Sequence, residues 1–305
     1  MIRPALPKDV AVLERGWLSA STILLFDGDS ATAIDSGYVT DAPETVRLVR
    51  DALQGRALAR LINTHSHSDH LGGNAALIEA FGCAVTIPEG MAGMVSGWDE
   101  YALLLSAADQ SAARFRHDAT LAVGDSFEAG GTVWHAHAAP GHDMDALVFH
   151  SPDVRVLISG DALWRDGFGI LFPEVIGEGG GIEAARETLE AIGRLSVDLV
   201  IPGHGAPFVE VGEALESAFG RLRAFEEDGA RMARNALRAC ITFTLLERGR
   251  MSIETLPQYL DSVPLYREAN RRFLGLAPDV LADWLVDSLV AAGVARRERA
   301  ELVAA

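Results

Sequence analysis

Cysteine is scarce in this chain. Cys83 and Cys240 are the only two in 305 residues, far apart and outside any ligand-like spacing. A disulfide scaffold is therefore not expected, a reducing compartment fits, and each thiol reads as a small buried residue. Long apolar runs are missing as well, so no membrane span is expected. The opening Met1-Ile2-Arg3-Pro4 leads into Pro7, Lys8 and Asp9 rather than an apolar core, so no signal peptide is expected either. Together these absences point to a cytoplasmic protein. Low-complexity tracts and fixed-period repeats are also lacking. Positive charge is in short supply, with a formal net charge of −17. Residues 1–209 hold 13 Lys and Arg against 28 Asp and Glu, while residues 210–305 hold 13 Arg against 15. Nucleic acid and acidic membranes are poor partners for such a surface. A small anionic substrate is still compatible with it, because bound metal ions would dominate the local field.

What is present is concentrated in ten residues, Thr64-His65-Ser66-His67-Ser68-Asp69-His70-Leu71-Gly72-Gly73. The apolar run Leu58 to Ile62 before it reads as a buried strand, and Asn74 to Phe81 after it reads as a helix. The cluster thus sits on a strand-to-helix loop, where side chains converge. Neutral imidazoles and carboxylates suit zinc, and also iron or manganese. His65 and His67 are two apart and point the same way on an extended backbone. Asp69 and His70 follow as the chain turns into the helix and can face a second ion. The competing reading is a solvated loop with accidental histidines, which nine histidines in 305 residues make improbable.

The order of elements is βαβα, implying sheet flanked by helices. Ser21 to Phe26 and Ala31 to Asp35 read as a hairpin, and Asp41 to Gln54 as a helix ending at Gly55. Residues 89–117 read as helical, with His117 at their end as a surface residue. Three strands follow, Thr132 to Ala138, Ala146 to His150 and Val154 to Ser159, and a fourth spans Leu199 to Ile201. Pro140-Gly141-His142, Gly160-Asp161 and Pro202-Gly203-His204-Gly205 lie at strand ends. Each is weak alone. With His65, His67, Asp69 and His70 they form a seven-residue set of the size that two ions sharing a carboxylate need.

His-x-His-x-Asp-His-x-Gly-Gly, then Pro-Gly-His, Gly-Asp and Pro-Gly-His-Gly, resembles the metallo-β-lactamase fold superfamily across residues 64–205. The resemblance implies an α/β fold, a four-layer αβ/βα sandwich with a dinuclear site at the sheet edges. It implies that His65, His67 and His142 hold one metal, that Asp69, His70 and His204 hold the other, and that Asp161 bridges them. Asp161 stands where true metallo-β-lactamases usually carry Cys or Ser, which argues against antibiotic hydrolysis. His67 stands where flavodiiron proteins usually carry Glu. The stretch starting at Thr64 is similar to glyoxalase II, but that family continues with Thr-x-Gly-His after the residue matching His142. This chain has Asp143-Met144-Asp145-Ala146 and no obvious basic cluster for glutathione.

Other residues are weighed beside this set. His135 and His137 share a strand face and read as structural or supporting. Asp143 and Asp145 either orient imidazoles or make a turn. Residues 162–181 read either as a site-covering loop, with Trp164, Phe168 and Phe172 as an apolar wall and glycines as a hinge, or as a packed loop. Arg165 reads as solvated, with pairing to a substrate carboxylate as the alternative. From Glu210 the chain reads as long helices, with an N-cap at Ser252 and an amphipathic helix over Asp279 to Ala292. This resembles the small winged-helix-like domain appended to some lactamase-fold hydrolases. The domains expected are 1–212, catalytic, and 213–305, with packing, dimerisation or pocket closure as the roles open to the second. Its balanced charge is a poor footprint for nucleic acid.

The chemistry expected is hydrolysis of a small ester, thioester or lactone. The nucleophile would be a hydroxide bridging two divalent metal ions, zinc first and iron or manganese as alternatives, with Asp69 orienting it or shuttling its proton. Two other readings stand beside it: a mononuclear iron persulfide dioxygenase, which the family resemblance also allows, and a non-enzymatic metal-stabilised sensor.

Overall fold

The structure is a computed structural model that describes residues 4–305. Met1 to Arg3, part of the stretch read for a signal peptide, lie outside them. The first sheet has six strands in sequence order: β1 (Val10–Leu13), β2 (Thr22–Asp27), β3 (Ser30–Ile34), β4 (Ala57–Ile62), β5 (Ala84–Pro88) and β6 (Ala119–Leu121). β1 to β3 are antiparallel, and β3 to β6 run parallel. Parallel neighbours require crossovers. Helix α1 (Ala42–Leu53) supplies the first, and the short α2 (Ser68–Leu71) with α3 (Asn74–Phe81) supplies the second.

The second sheet is ordered β11-β10-β9-β8-β7. Its strands are β7 (Ser126–Ala129), β8 (Thr132–Ala138), β9 (Leu147–Ser151), β10 (Val156–Gly160) and β11 (Leu199–Pro202). All pairs are antiparallel except β10 with β11, whose crossover contains α6 (Phe172–Ile176) and α7 (Gly181–Arg194). The two sheets face each other through a core of Ile23, Leu25, Ile34 and Ile62 against Trp134, Phe149, Ile158 and Ile201. The outer face of the first sheet is covered by α1 and α3, through Val49, Leu53 and Leu77. The outer face of the second is covered by α7 and α8 (Val211–Glu227), through Leu189, Ile192, Ala218 and Leu222. This is the four-layer sandwich expected. The alternation of side chains along the strands places one set in the shared core and the next under a helix.

The C-terminal region is helical with a small sheet. Helices α9 (Gly229–Arg248), α10 (Leu256–Ser262), α11 (Pro264–Ala269) and α12 (Pro278–Ala291) enclose Leu237, Ile241, Leu260, Tyr266 and Leu285. The sheet is antiparallel, in the order β12 (Arg250–Ser252), β14 (Glu301–Ala304), β13 (Ala295–Glu298). Its core also takes in Phe172 and Val175 of α6, so the region packs onto the crossover beside the sandwich. Among the described residues no helix is long and apolar enough to cross a membrane.

Two expectations are corrected. Residues 89–117 are not one helical stretch: they hold a single 3-10 turn, α4 (Ala92–Gly97), α5 (Leu105–Ala108) and irregular chain after it. Trp98, Leu104 and Asp109 all adopt the left-handed conformation, with φ of 55, 58 and 55°: Trp98 ends α4, Asp109 ends α5, and Leu104 keeps α5 from extending backwards. Ser252 does not cap a helix. It pairs with Glu301 in β12, the Ile253 N–H donates to the Ala300 carbonyl, and α10 begins only at Leu256.

Candidate metal centre

All seven residues singled out from the sequence converge at one end of the sandwich. His65 and His67 lie on the loop after β4, and Asp69 and His70 lie on α2. His142 follows β8, Asp161 follows β10 and His204 follows β11. Six of them are buried or nearly so, and Asp69 opens partly onto a cavity. His65, His67 and His142 form one trio whose ligand-type atoms lie within 4.8 Å of one another. Asp69, His70 and His204 form a second trio by the same measure. Asp161 stands between them: its Oδ2 is 3.3 Å from His142 Nε2, and its Oδ1 is 3.3 Å from His70 Nε2 and 4.0 Å from His204 Nε2.

The imidazoles are oriented from behind. Thr64 Oγ1 lies 2.9 Å from His65 Nδ1, and the Ile170 carbonyl lies 2.6 Å from His142 Nδ1. Asp35 Oδ2 lies 2.7 Å from His70 Nδ1. These partners leave the Nε2 atoms of His65 and His70 pointing inward and buried; that of His65 has no hydrogen-bond partner, and that of His70 has only the Asp161 carboxylate 3.3 Å away. Orphaned buried nitrogens are costly unless something else satisfies them, and a cation would do so. Within the second trio, His204 Nε2 donates to Asp69 Oδ2 at 2.9 Å. The site crowds its own backbone too: a Cβ on Gly203 would stand 2.5 Å from Asp161 Oδ1 and 2.7 Å from His70 Cε1.

Electrostatics sort the donors. Burial, then the neighbouring His70 and His67, holds His65 well below the usual imidazole range. Burial and His142 push His67 down to about 3. Burial also lowers His142, against the pull of Asp161. These three rings are therefore neutral, the form that donates a lone pair to a metal. His70 differs. Burial pushes it down, but the carboxylates of Asp35, Asp161 and Asp69 outweigh that and hold it well above the usual range. For Asp161, burial would raise the carboxyl, yet His70 and His204 overcome it and keep it well below the carboxylate range. Asp69 is lowered for the same reasons, burial opposing and His70 and His204 prevailing. The donor set is four imidazoles, two carboxylates ionised at neutral pH, and His70.

The cavity above these groups is about 220 Å³. Trp17, Trp164 and Phe172 wall it, and α9 contributes Asn235, Cys240 and Phe243. Trp164 donates its Nε1–H to Asp161 Oδ1 at 3.2 Å. Phe168 does not face the cavity. It is buried and stacked edge-on to Phe225. The stretch 162–181 therefore divides: Trp164 and Phe172 form wall, and Phe168 forms packing. Arg165 pairs with Glu210 at 3.3 Å. Asp143 buttresses the His loop, its Oδ2 accepting from the Ser66 N–H and hydroxyl, while Asp145 faces Gly90. His135, His137 and His150 sit on the outer face of the second sheet, away from the site, and His117 borders a separate surface hollow with Arg114 and Arg116.

Asp35, Trp17 and the α9 wall were not singled out from the sequence. Asp35 ends β3 with φ of 57° and accepts bonds from the Thr64 N–H and hydroxyl as well as facing His70. Its one sequence signal is a carboxylate followed by Ser36-Gly37 at a strand end. Buried Cys240 reads correctly as packed, yet it also borders the cavity.

A family model described as the metallo-beta-lactamase superfamily matches residues 15–204, more than half of the chain. A hydroxyacylglutathione hydrolase of Hyphomonas neptunium is 30% identical over 156 residues, covering 51% of this chain and 51% of that protein. The chain thus spans about half the length of the curated relatives it matches. In structure, a metallo-beta-lactamase family protein of Thermus thermophilus aligns over 99% of this chain and 100% of its own, with a TM-score of 0.57 and 16% identity. A subclass B3 metallo-beta-lactamase of Bradyrhizobium japonicum aligns over 76% of this chain and 94% of its own, with a TM-score of 0.58 and 18% identity. At these identities the structural likeness speaks to the fold alone.

Proposed function

Because the chain belongs to the metallo-beta-lactamase superfamily, we propose that it is a metal-dependent hydrolase of a small ester, thioester or lactone. The observation that carries this reading is the position of Asp161, with one carboxylate oxygen toward His142 and the other toward His70 and His204. A carboxylate so divided between two donor trios suits a pair of cations. His65, His67 and His142 would hold one, Asp69, His70 and His204 the other, and Asp161 both. Imidazoles without a cysteine sulfur, plus carboxylates, favour zinc, with iron and manganese compatible. When bound, such ions acidify water and polarise a carbonyl oxygen.

The protein's own groups supply the rest. Asp69 is ionised and borders the cavity, so it is placed to accept a proton from an attacking water and pass it to the leaving group. Trp17, Trp164, Phe172 and Phe243 exclude bulk water and hold an apolar acyl group. The hydroxyacylglutathione hydrolase relative supports a thioester among the candidates. A single-iron reading would leave the Asp69–His204 pair without a role, so this pair supports the dinuclear one.

Asp161→Ala is the direct test. Removing the shared carboxylate is expected to lower metal content by more than half and to reduce hydrolysis of activated esters at least about a hundredfold, as loss of a ligand with transition-state consequences does. Full turnover in that variant would contradict the proposal.

A further inference from the structure

One charged side chain in the cavity is unused by the site described above. Arg221 of α8 is the sole Arg or Lys among the described residues that line the cavity. Its guanidinium lies over two rings, 5.1 Å from the Phe168 centroid and 5.3 Å from the Phe225 centroid. Gly167, with φ of 134°, lets the backbone come close against it: a Cβ there would stand 2.8 Å from Arg221 Nη1. The guanidinium is therefore held in place by its stem and faces. Among the described residues, however, nothing accepts a hydrogen bond from it and no carboxylate pairs with it. Its nitrogens are not among the fully buried atoms without partners, and the residue lines the cavity. Burial lowers its pKa, and no neighbouring carboxylate offsets this. Asn235 of α9 lines the same cavity and likewise has no hydrogen-bond partner for its side chain among the described residues.

A partly buried, preorganised guanidinium with no internal counter-charge is an anion receptor awaiting its anion. Stacking on Phe168 and Phe225 accounts for its faces but for none of its five N–H donors. Arg221 brings one positive charge, which one carboxylate neutralises and a phosphate dianion would exceed. We infer that Arg221, assisted by the Asn235 amide, forms a carboxylate-binding subsite, and that the substrate carries a carboxylate at the end remote from its scissile acyl group. This rests on the hydrolase reading for its chemistry, while the binding claim stands separately. The apolar residues lining the same cavity would take the connecting carbons.

The test compares mono-4-nitrophenyl glutarate with 4-nitrophenyl butyrate on wild type, Arg221→Met and Arg221→Lys. Met keeps the stem between the phenylalanines, and Lys keeps the charge. The expected result is that Arg221→Met lowers kcat/KM for the carboxylated ester at least about tenfold and leaves the neutral ester within about twofold, with Arg221→Lys in between. Equal losses on both esters with a lowered melting midpoint would show a packing residue and overturn the inference. If wild type hydrolyses neither ester, the hydrolase reading fails. The subsite is then judged by calorimetric titration of glutarate and butyrate into the metal-carrying protein. A glutarate preference lost in Arg221→Met upholds it, and no preference in wild type overturns it.

Discussion

His70 is the residue whose chemistry is least like its neighbours'. His65, His67 and His142 are neutral in the metal-free protein, whereas His70 sits among Asp35, Asp161 and Asp69 and holds its proton at neutral pH. A metal needs the His70 Nε2 lone pair while Nδ1–H keeps its bond to Asp35. Binding must therefore expel one proton there. The sign follows: because the metal-free pKa is raised, affinity keeps rising with pH past the point, near about 6.5, where an ordinary imidazole would level off. Calorimetric zinc titrations in buffers of different ionisation enthalpy measure that proton. Asp35→Asn removes the largest of the favourable carboxylate interactions and is expected to release one proton fewer at pH ~7. An unchanged proton count would show that His70 is not the source.

The four candidate ligands at 65–70 were legible in sequence because they are local, packed into six residues after an apolar strand. His142, Asp161 and His204 became legible only as a group, each just past a strand with glycine beside it. Asp35 was not legible: its role arises from the pairing of β3 with β4, which brings its carboxylate to Thr64 across 29 residues. Arg221 and Asn235 were hidden for the same reason, as ordinary polar residues on helices whose packing alone aims them at the cavity.

At the scale of elements, the strands and long helices of the sandwich follow from periodicity, and the misassigned pieces are those held by tertiary bonds. The segment after α5 has no regular secondary structure, and Asp109 at its start accepts hydrogen bonds from Arg248 and from the Tyr259 hydroxyl, both in the C-terminal region. Tyr38, fully buried between β3 and α1, donates to Glu247 Oε1 at 2.8 Å and accepts from the Ser111 N–H at 3.0 Å. Its hydroxyl thus joins the first sheet's connection, the irregular segment after α5 and the end of α9. Burial, then Glu247, raises its pKa well above the usual phenol range, so it stays protonated as donor. Tyr38→Phe leaves both partners unsatisfied and is expected to cost about 1–3 kcal/mol of stability. The check is a lowered denaturant midpoint with an unchanged slope. No shift would mean that water replaces the hydroxyl freely.

For the whole molecule, the two halves share the cavity. The sandwich supplies the donor trios at its sheet ends, and α8 and α9 supply Arg221, Asn235 and Phe243 over them. The chain's acidity lies in the part that carries the donors. The sandwich architecture was legible from the βαβα order and the family motifs. That the C-terminal helices form a wall of the site was only one of three roles open to them in sequence, since no local pattern in α9 distinguishes a cavity-facing Asn235 from a surface one. The proposed account turns on two cations held by seven residues. Counting zinc, iron and manganese per chain, in protein purified without added metal, tests it most directly. The expected result is about two ions per chain, mainly zinc, with hydrolysis of an activated ester. About one iron per chain, with oxygen consumed on a persulfide and no ester turnover, would contradict it.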